Sequence, residues 1–131
     1  NSTEKNIGKV ISIVKLSNTN TKDINFVGSK LAMHIAAQAP IAINDKGIKK
    51  EIINKELEII KEELKNSGKK PDIIEKIAAG KIKKFISDNT LLNQTWIMDT
   101  KITVSNFLKQ YSNNGEISII DFVRFKVGEG I

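Results

Sequence analysis

No cysteine occurs among the 131 residues. Its absence excludes disulfides, thiolate nucleophiles and most structural zinc sites, and it fits a reducing compartment. Histidine occurs once, at His34, and arginine once, at Arg124. One imidazole without a thiol is a poor start for a metal centre, which needs several ligands. It is as poor for nucleophilic catalysis, which needs a serine or cysteine beside an oriented base. Aromatic residues make up only 5% of the chain. Nucleic-acid sites tend to cluster arginine and aromatics on one face. The net charge of +6, carried almost wholly by lysine, therefore reads first as a solvated surface. The abundance of lysine, isoleucine and asparagine equally fits an A+T-rich genome. No stretch approaches the ~18 consecutive apolar residues of a membrane helix. The chain starts at Asn1 without a methionine, which points to a processed product or a piece of something longer.

What is present suits one domain with a buried core. Residues 9–16, KVISIVKL, are β-branched and dense in apolar groups. They predict a strand buried on both faces, with Ile11 and Ile13 pointing one way and Val10, Val14 and Leu16 the other. The polar run at 17–23 is a loop that ends in Thr21 or Asp23, either able to cap a helix. That helix is predicted from about Asp23 to Ala39, stopped by Pro40. Ile24, Val27, Leu31 and Ile35 share one face, while Phe26 and Met33 lie nearly opposite. A helix apolar on two sides is usually covered on two sides, by the sheet and by more chain or a partner.

Residues 44–86 form the clearest unit. Asn44 or Asp45 is read as the cap of a helix reaching Asn66, Gly68 as its left-handed stop, and Pro71 as the first turn of a second helix to about Ile86. Ile53, Leu57, Ile60 and Leu64 are spaced as a coiled-coil seam, which Ile74, Ala78, Ile82 and Phe85 can face. The short loop NSGKK makes the two helices antiparallel neighbours. Ile48, Ile52 and Ile59 make a second stripe, so the hairpin base must pack on something.

Residues 87–99, SDNTLLNQTWIMD, show no clean period and read as an ordered loop, since Leu91, Leu92, Trp96, Ile97 and Met98 suit solvent badly. Thr103 then caps a short helix through Val104, Phe107, Leu108 and Tyr111. Asn113, Asn114 and Gly115 make a turn. The run at 117–127 alternates as a strand, with Ile119, Val123, Phe125 and Val127 on one face and Ile120, Phe122, Arg124 and Lys126 on the other. The expected fold is α+β: one domain over 1–131, a small antiparallel sheet with helices packed on one side, and a protruding antiparallel helical (coiled-coil) hairpin inserted at 44–86. Two strands are few for a sheet, so a third is expected upstream of Asn1 or from a second copy.

Chemistry finds little support. His34 sits mid-helix with no serine motif near it. Gly8–Lys9 lacks the rest of a phosphate-cradling loop, and Gly128 and Gly130 read as glycines ending a strand. The hairpin carboxylates alternate with lysines as on a wet face. No catalytic residue, cofactor or metal is expected, and a binding or structural module is favoured over an enzyme. The features that point to binding are the two-sided helix with Met33 and His34, the loop with Trp96, Ile97 and Met98, and the hairpin. Each has a plainer reading as core, because a methionine and an aromatic at helical spacing more often pack inside. By angle, His34 falls at the border of the Val27–Leu31–Ile35 stripe, where a ring can pack and still offer a nitrogen outward.

Five stretches carry a family resemblance. AMHIAAQAP (32–40), GKKPDIIEKIAAGKIKKF (68–85), LLNQTWIMD (91–99), TVSNFLKQY (103–111) and FVRFKVGEGI (122–131) occur in the order and spacing of bacterial-type translation elongation factor Ts. The chain resembles the C-terminal part of that family's core, its dimerisation domain. The resemblance implies a guanine-nucleotide exchange factor that binds elongation factor Tu, active in the cytoplasm, with an organellar matrix as the alternative. It implies contacts to that partner from His34 and from Ile97. Trp96 stands where the family has phenylalanine, and Thr95 where it often has proline. The family's Thr-Asp-Phe-Val exchange segment does not occur in these residues. Binding without full exchange activity is therefore expected of this piece. A homodimer through the bare sheet edge is a further expectation. The rival reading is a stand-alone coiled-coil module that binds protein or RNA.

Overall fold

A computed structural model describes residues 9–17, 23–112 and 117–127. The expectations for Thr21, the turn at Asn113–Gly115 and the glycines Gly8, Gly128 and Gly130 lie outside the described residues. The order of elements is β1 (Lys9–Leu16), α1 (Ile24–Gln38), α2 (Lys50–Lys65), α3 (Pro71–Asn89), β2 (Thr95–Trp96), β3 (Asp99–Thr103), α4 (Val104–Gln110) and β4 (Ile119–Val127). Single 3-10 turns stand at Asp45–Gly47 and Leu91–Asn93. The fold is α+β, as the sequence pattern predicts.

The i, i+4 stripe of α1 decides its orientation. Val27, Leu31 and Ile35 are wholly buried, and Phe26 and Met33 are exposed. Burying side chains of this size is worth about 1.5–3 kcal/mol each. They pack into one core with Leu91, Trp96, Val104, Phe107, Leu108 and Ile117. Asp23 precedes α1 without capping it through its side chain. At the other end Ala39 takes a left-handed conformation at φ 46° and its N–H bonds back to Ile35 O, after which Pro40 forbids continuation. Two side chains from the sheet fasten α1. Ser12 donates to Ala32 O, and the Arg124 guanidinium donates twice to Ala36 O, at 3.2 and 3.1 Å. Ala36 O belongs to the last turn, where carbonyls lack helical partners and a cation meets the negative end of the dipole.

β1 and β4 pair antiparallel, with Ile11 opposite Phe125 and Ile13 opposite Val123. Only the face carrying Val14, Leu16 and Phe122 packs on the core. The other face is not buried, contrary to the expectation for β1: Ile11, Ile13, Val123, Phe125 and Val127 are all exposed. A register shift beside Lys15 and Leu16 sets Leu16 opposite Ile119. It also corrects the simple alternation, because an extra residue turns Ile119 to the same side as Phe122, and both pack on the core. No third strand joins this pair among the described residues; the second sheet is the separate pair β2–β3.

The hairpin α2–α3 closes over Ile60, Leu64 and Ala78, with Leu57, Ile74, Ile77 and Ile82 around them. Gly68 has φ 77°, the left-handed conformation expected of it, and Pro71 opens α3. Two boundaries differ from expectation. Asn44 and Asp45 start a 3-10 turn, and α2 begins only at Lys50. α3 runs on to Asn89. The hairpin base is tied by main chain: Ile41 N–H to Asn89 O, Leu91 N–H to Ala42 O and Leu92 N–H to Ile43 O. Ile48 is buried there, but Ile52 and Ile59 stay exposed, so the described residues cover only the Ile48 end of the second stripe. Among the described residues no helix is long and apolar enough to cross a membrane.

Candidate functional site

Residues 87–99 are not a loop. After α3 ends, Asn93 and Gln94 turn back on Thr90, and β2 and β3 form a small antiparallel hairpin whose tip is Ile97–Met98. Periodicity misses it because β2 is two residues long and its partners are non-local. The strand pair leads into α4, whose start is secured by a reciprocal cap: Asn106 N–H donates to Thr103 Oγ1, and Thr103 N–H donates to Asn106 Oδ1. α4 then holds Phe107 under Trp96.

The Trp96 ring lies between two others. It stacks on Phe107 at 4.0 Å between centroids and on His34 at 5.3 Å, both at an interplanar angle of 16°. Phe107 meets Tyr111 at 5.2 Å, and Tyr111 meets Phe26 at 5.9 Å. The stack thus starts and finishes on α1, at Phe26 and His34, and passes through α4 and β2 between. The chain has one tryptophan, one tyrosine and five phenylalanines, and four of these residues stand in this one row. Offset stacking of this kind adds about 0.5–1.5 kcal/mol per pair beyond area.

His34 is wholly buried, at 0% exposure. This corrects the border placement read from angles, because the β2–β3 hairpin closes over the side where a nitrogen would have faced out. Both ring nitrogens have partners inside the protein. Nε2 lies 2.9 Å from Gln94 Oε1, and Ile97 N–H points at Nδ1 from 3.4 Å. Burial holds the imidazole below its usual pKa, and the hydrogen bond with Gln94 opposes that only in part. The ring is neutral at pH 7 and has no free nitrogen for catalysis or metal binding.

The five residues singled out from sequence therefore divide. His34 and Trp96 are interior. Met33 at 49% exposure and Met98 at 50% are open, and Ile97 is half-buried. The open side chains flank the buried ones directly, Met33 as the helical neighbour of His34 and Ile97 as the residue whose N–H meets its ring. Beside Met98 a groove of about 270 Å³ runs along Phe26, Lys30, Trp96, Ile102 and Tyr111. Exposed methionines next in sequence to a stacked, hydrogen-bonded interior suit protein docking, where Met and aromatics are enriched. Sequence reasoning missed Gln94 and the part of Phe26 and Tyr111 in the groove. A polar residue amid LLNQTW was the available signal for Gln94, but nothing local joins it to His34. Among the described residues no three His, Cys, Asp or Glu side chains gather to hold a metal ion.

Comparison with known proteins gives a consistent picture. A family model described as Elongation factor TS matches residues 3–129. Elongation factor Ts of Rickettsia bellii is 33% identical over 135 aligned residues, which take in 100% of this chain and 44% of that protein. The Fervidobacterium nodosum protein of the same name is 40% identical over 83% of this chain and 56% of its own length. That of Nitratiruptor sp. is 44% identical over 77% and 34% respectively. The chain spans about half, or less, of the length of these curated relatives.

Proposed function

The chain belongs to the elongation factor Ts family of translation elongation factors, and on that premise we propose that it is part of a guanine-nucleotide exchange factor that docks on elongation factor Tu. Residues 1–131 then form one unit, the C-terminal part of the family's core, with the helical hairpin at 44–86 inserted. The docking surface is Met33, Ile97 and Met98, and His34 and Trp96 act beneath it by fixing the height and angle of the turn. The observation that carries this reading is that open and sealed side chains adjoin: exposed Met33 is next in sequence to buried His34, and half-buried Ile97 and exposed Met98 follow stacked Trp96, with the Ile97 N–H on the His34 ring. Preformed surfaces lose less conformational freedom on binding. The protein acts in the cytoplasm, where its partner works, and is not an enzyme acting on a covalent bond.

Titration of the 131-residue chain with elongation factor Tu tests this. Met33→Asp and Met98→Asp each weaken binding about tenfold or more, since a carboxylate would be buried unpaired in the contact. Wild-type affinity in both variants overturns the assignment. Because the Thr-Asp-Phe-Val segment is not among these residues, they bind without fully accelerating GDP release. Full acceleration by this chain alone sinks that part of the reading.

We propose a homodimer through the edge of the β1–β4 pair, in which the outer face beside that edge is buried as well. Ile11, Ile13, Val123, Phe125 and Val127 form a contiguous apolar surface there, paired across the two strands. Isolated surfaces of this kind mark interfaces. Sedimentation should show a dimer that Phe125→Lys disperses, and a monomer at every concentration contradicts it.

A further inference from the structure

Gln94 is buried, at 5% exposure, where α1, α3 and the docking turn meet. Its amide nitrogen donates to two main-chain carbonyls. Gln38 O, at the end of α1, lies 3.2 Å away, and Asp88 O, near the end of α3, lies 3.0 Å away. Those bonds leave only Oε1 to face His34, at 2.9 Å. An amide oxygen can only accept, so His34 must carry its proton on Nε2. Nδ1 is then bare, and a bare nitrogen is what the Ile97 N–H requires. The backbone of Gln94 is held as firmly. Its N–H donates to Thr90 O at 3.0 Å, and its carbonyl accepts from Val104 N–H at 3.0 Å.

We propose that Gln94 is the positioning residue of the docking surface: by deciding which nitrogen of His34 is bare, it sets the Ile97–Met98 turn in the shape a partner protein meets. The proposal rests on the reading of that turn as a contact for elongation factor Tu. The physical reason is a matter of donors. A proton on Nδ1 would face the Ile97 N–H with a second donor, and the turn would have to move. The groups that the ring bonds to or stacks on, from Gln94, Trp96 and Ile97, are all uncharged. No carboxylate among them competes with Gln94 for the imidazole proton. Gln94→Glu keeps an acceptor toward Nε2, loses both donations, and draws a second proton onto the ring. Gln94→Met keeps the volume and loses every side-chain bond.

Two-bond proton–nitrogen spectra of the His34 ring, the Ile97 amide resonance and affinity for elongation factor Tu are measured together on the 131-residue chain. At pH 7 the parent shows the neutral Nε2–H tautomer alone. Gln94→Glu protonates the ring, displaces the Ile97 amide and weakens binding about tenfold, the scale of one misplaced interface anchor. Gln94→Met gives mixed tautomers and a change in the same direction. Met33→Ala weakens binding without touching the tautomer. An Nδ1–H tautomer in the parent, or an Ile97 amide unmoved in both Gln94 variants, overturns the proposal. Should neither variant fold, the parent decides: acidification must shift the Ile97 amide with the same midpoint as the ring, and an indifferent amide overturns the proposal. Failure of the parent to bind elongation factor Tu defeats the docking assignment instead, while the spectra still judge the hold of Gln94 on the turn.

Discussion

In the helical hairpin, Ile60, Leu64 and Ala78 bury against side chains a few turns away along the same two helices. In the body, His34 meets Gln94 sixty residues on, and Arg124 reaches Ala36 across eighty-eight. The hairpin core is aliphatic and holds no buried polar side chain, whereas the body buries His34, Thr90 and Gln94 and satisfies each one. The difference has a functional sense. A surface meant to present a defined turn needs directional bonds, since apolar packing fixes proximity but leaves orientation loose. A hairpin needs only a seam.

The sharpest way to break the comparison is Trp96→Ala. It opens the middle of the ring stack and should cost about 3–5 kcal/mol. Urea denaturation followed by circular dichroism measures it, and a loss confined to the hairpin transition would contradict the division. His34→Ala comes next. It leaves Gln94 Oε1 and Ile97 N–H without partners in a buried place, each worth about 1–3 kcal/mol. Retention of parental stability would show that the ring is not the support described here.

The same histidine sets a pH dependence. Its folded pKa lies below the unfolded value of about 6.5, so the unfolded chain takes up the proton more readily. The stabilisation is complete above about 6.5 and is lost as the pH falls toward the folded-state value. Melting temperatures between pH 8 and pH 5 should show this loss in the parent, and less of it in His34→Ala.

In the hairpin, Leu64→Ala should cost about 2 kcal/mol, at the low end for such truncations because the side chain retains some exposure. Hydrogen exchange should place the loss in α2 and α3 and leave β2–β3 protected. Smallest of all is Lys61→Ala. Lys61 Nζ lies 3.1 Å from Glu75 Oε1, but both side chains are well exposed, at 43% and 66%. Screening holds such a pair to within about 0.5 kcal/mol. A larger effect would mean that the hairpin depends on charge after all.

Local spacing was enough to place the helices, though not the start of α2 or the end of α3. The i, i+4 stripe of α1, the Ile60–Leu64 seam, Gly68 at the hairpin turn, Pro71 at the start of α3 and Thr103 at the start of α4 all express interactions within a few residues, and each stands where the pattern predicts. The motifs of residues 32–40 and 91–99 likewise named the family before any coordinate. Tertiary structure alone decided the rest. That Ile11 and Ile13 face outward depends on a layer no neighbour in sequence supplies. That Thr95–Thr103 folds into a strand pair depends on α1 and α4 lying against it. That His34 is sealed and both its ring nitrogens are met depends on Gln94 and Ile97, sixty and sixty-three residues away. Helices are bonded within themselves, so their sequences report them; strand pairs and buried polar networks are bonded across the fold, so only the fold does.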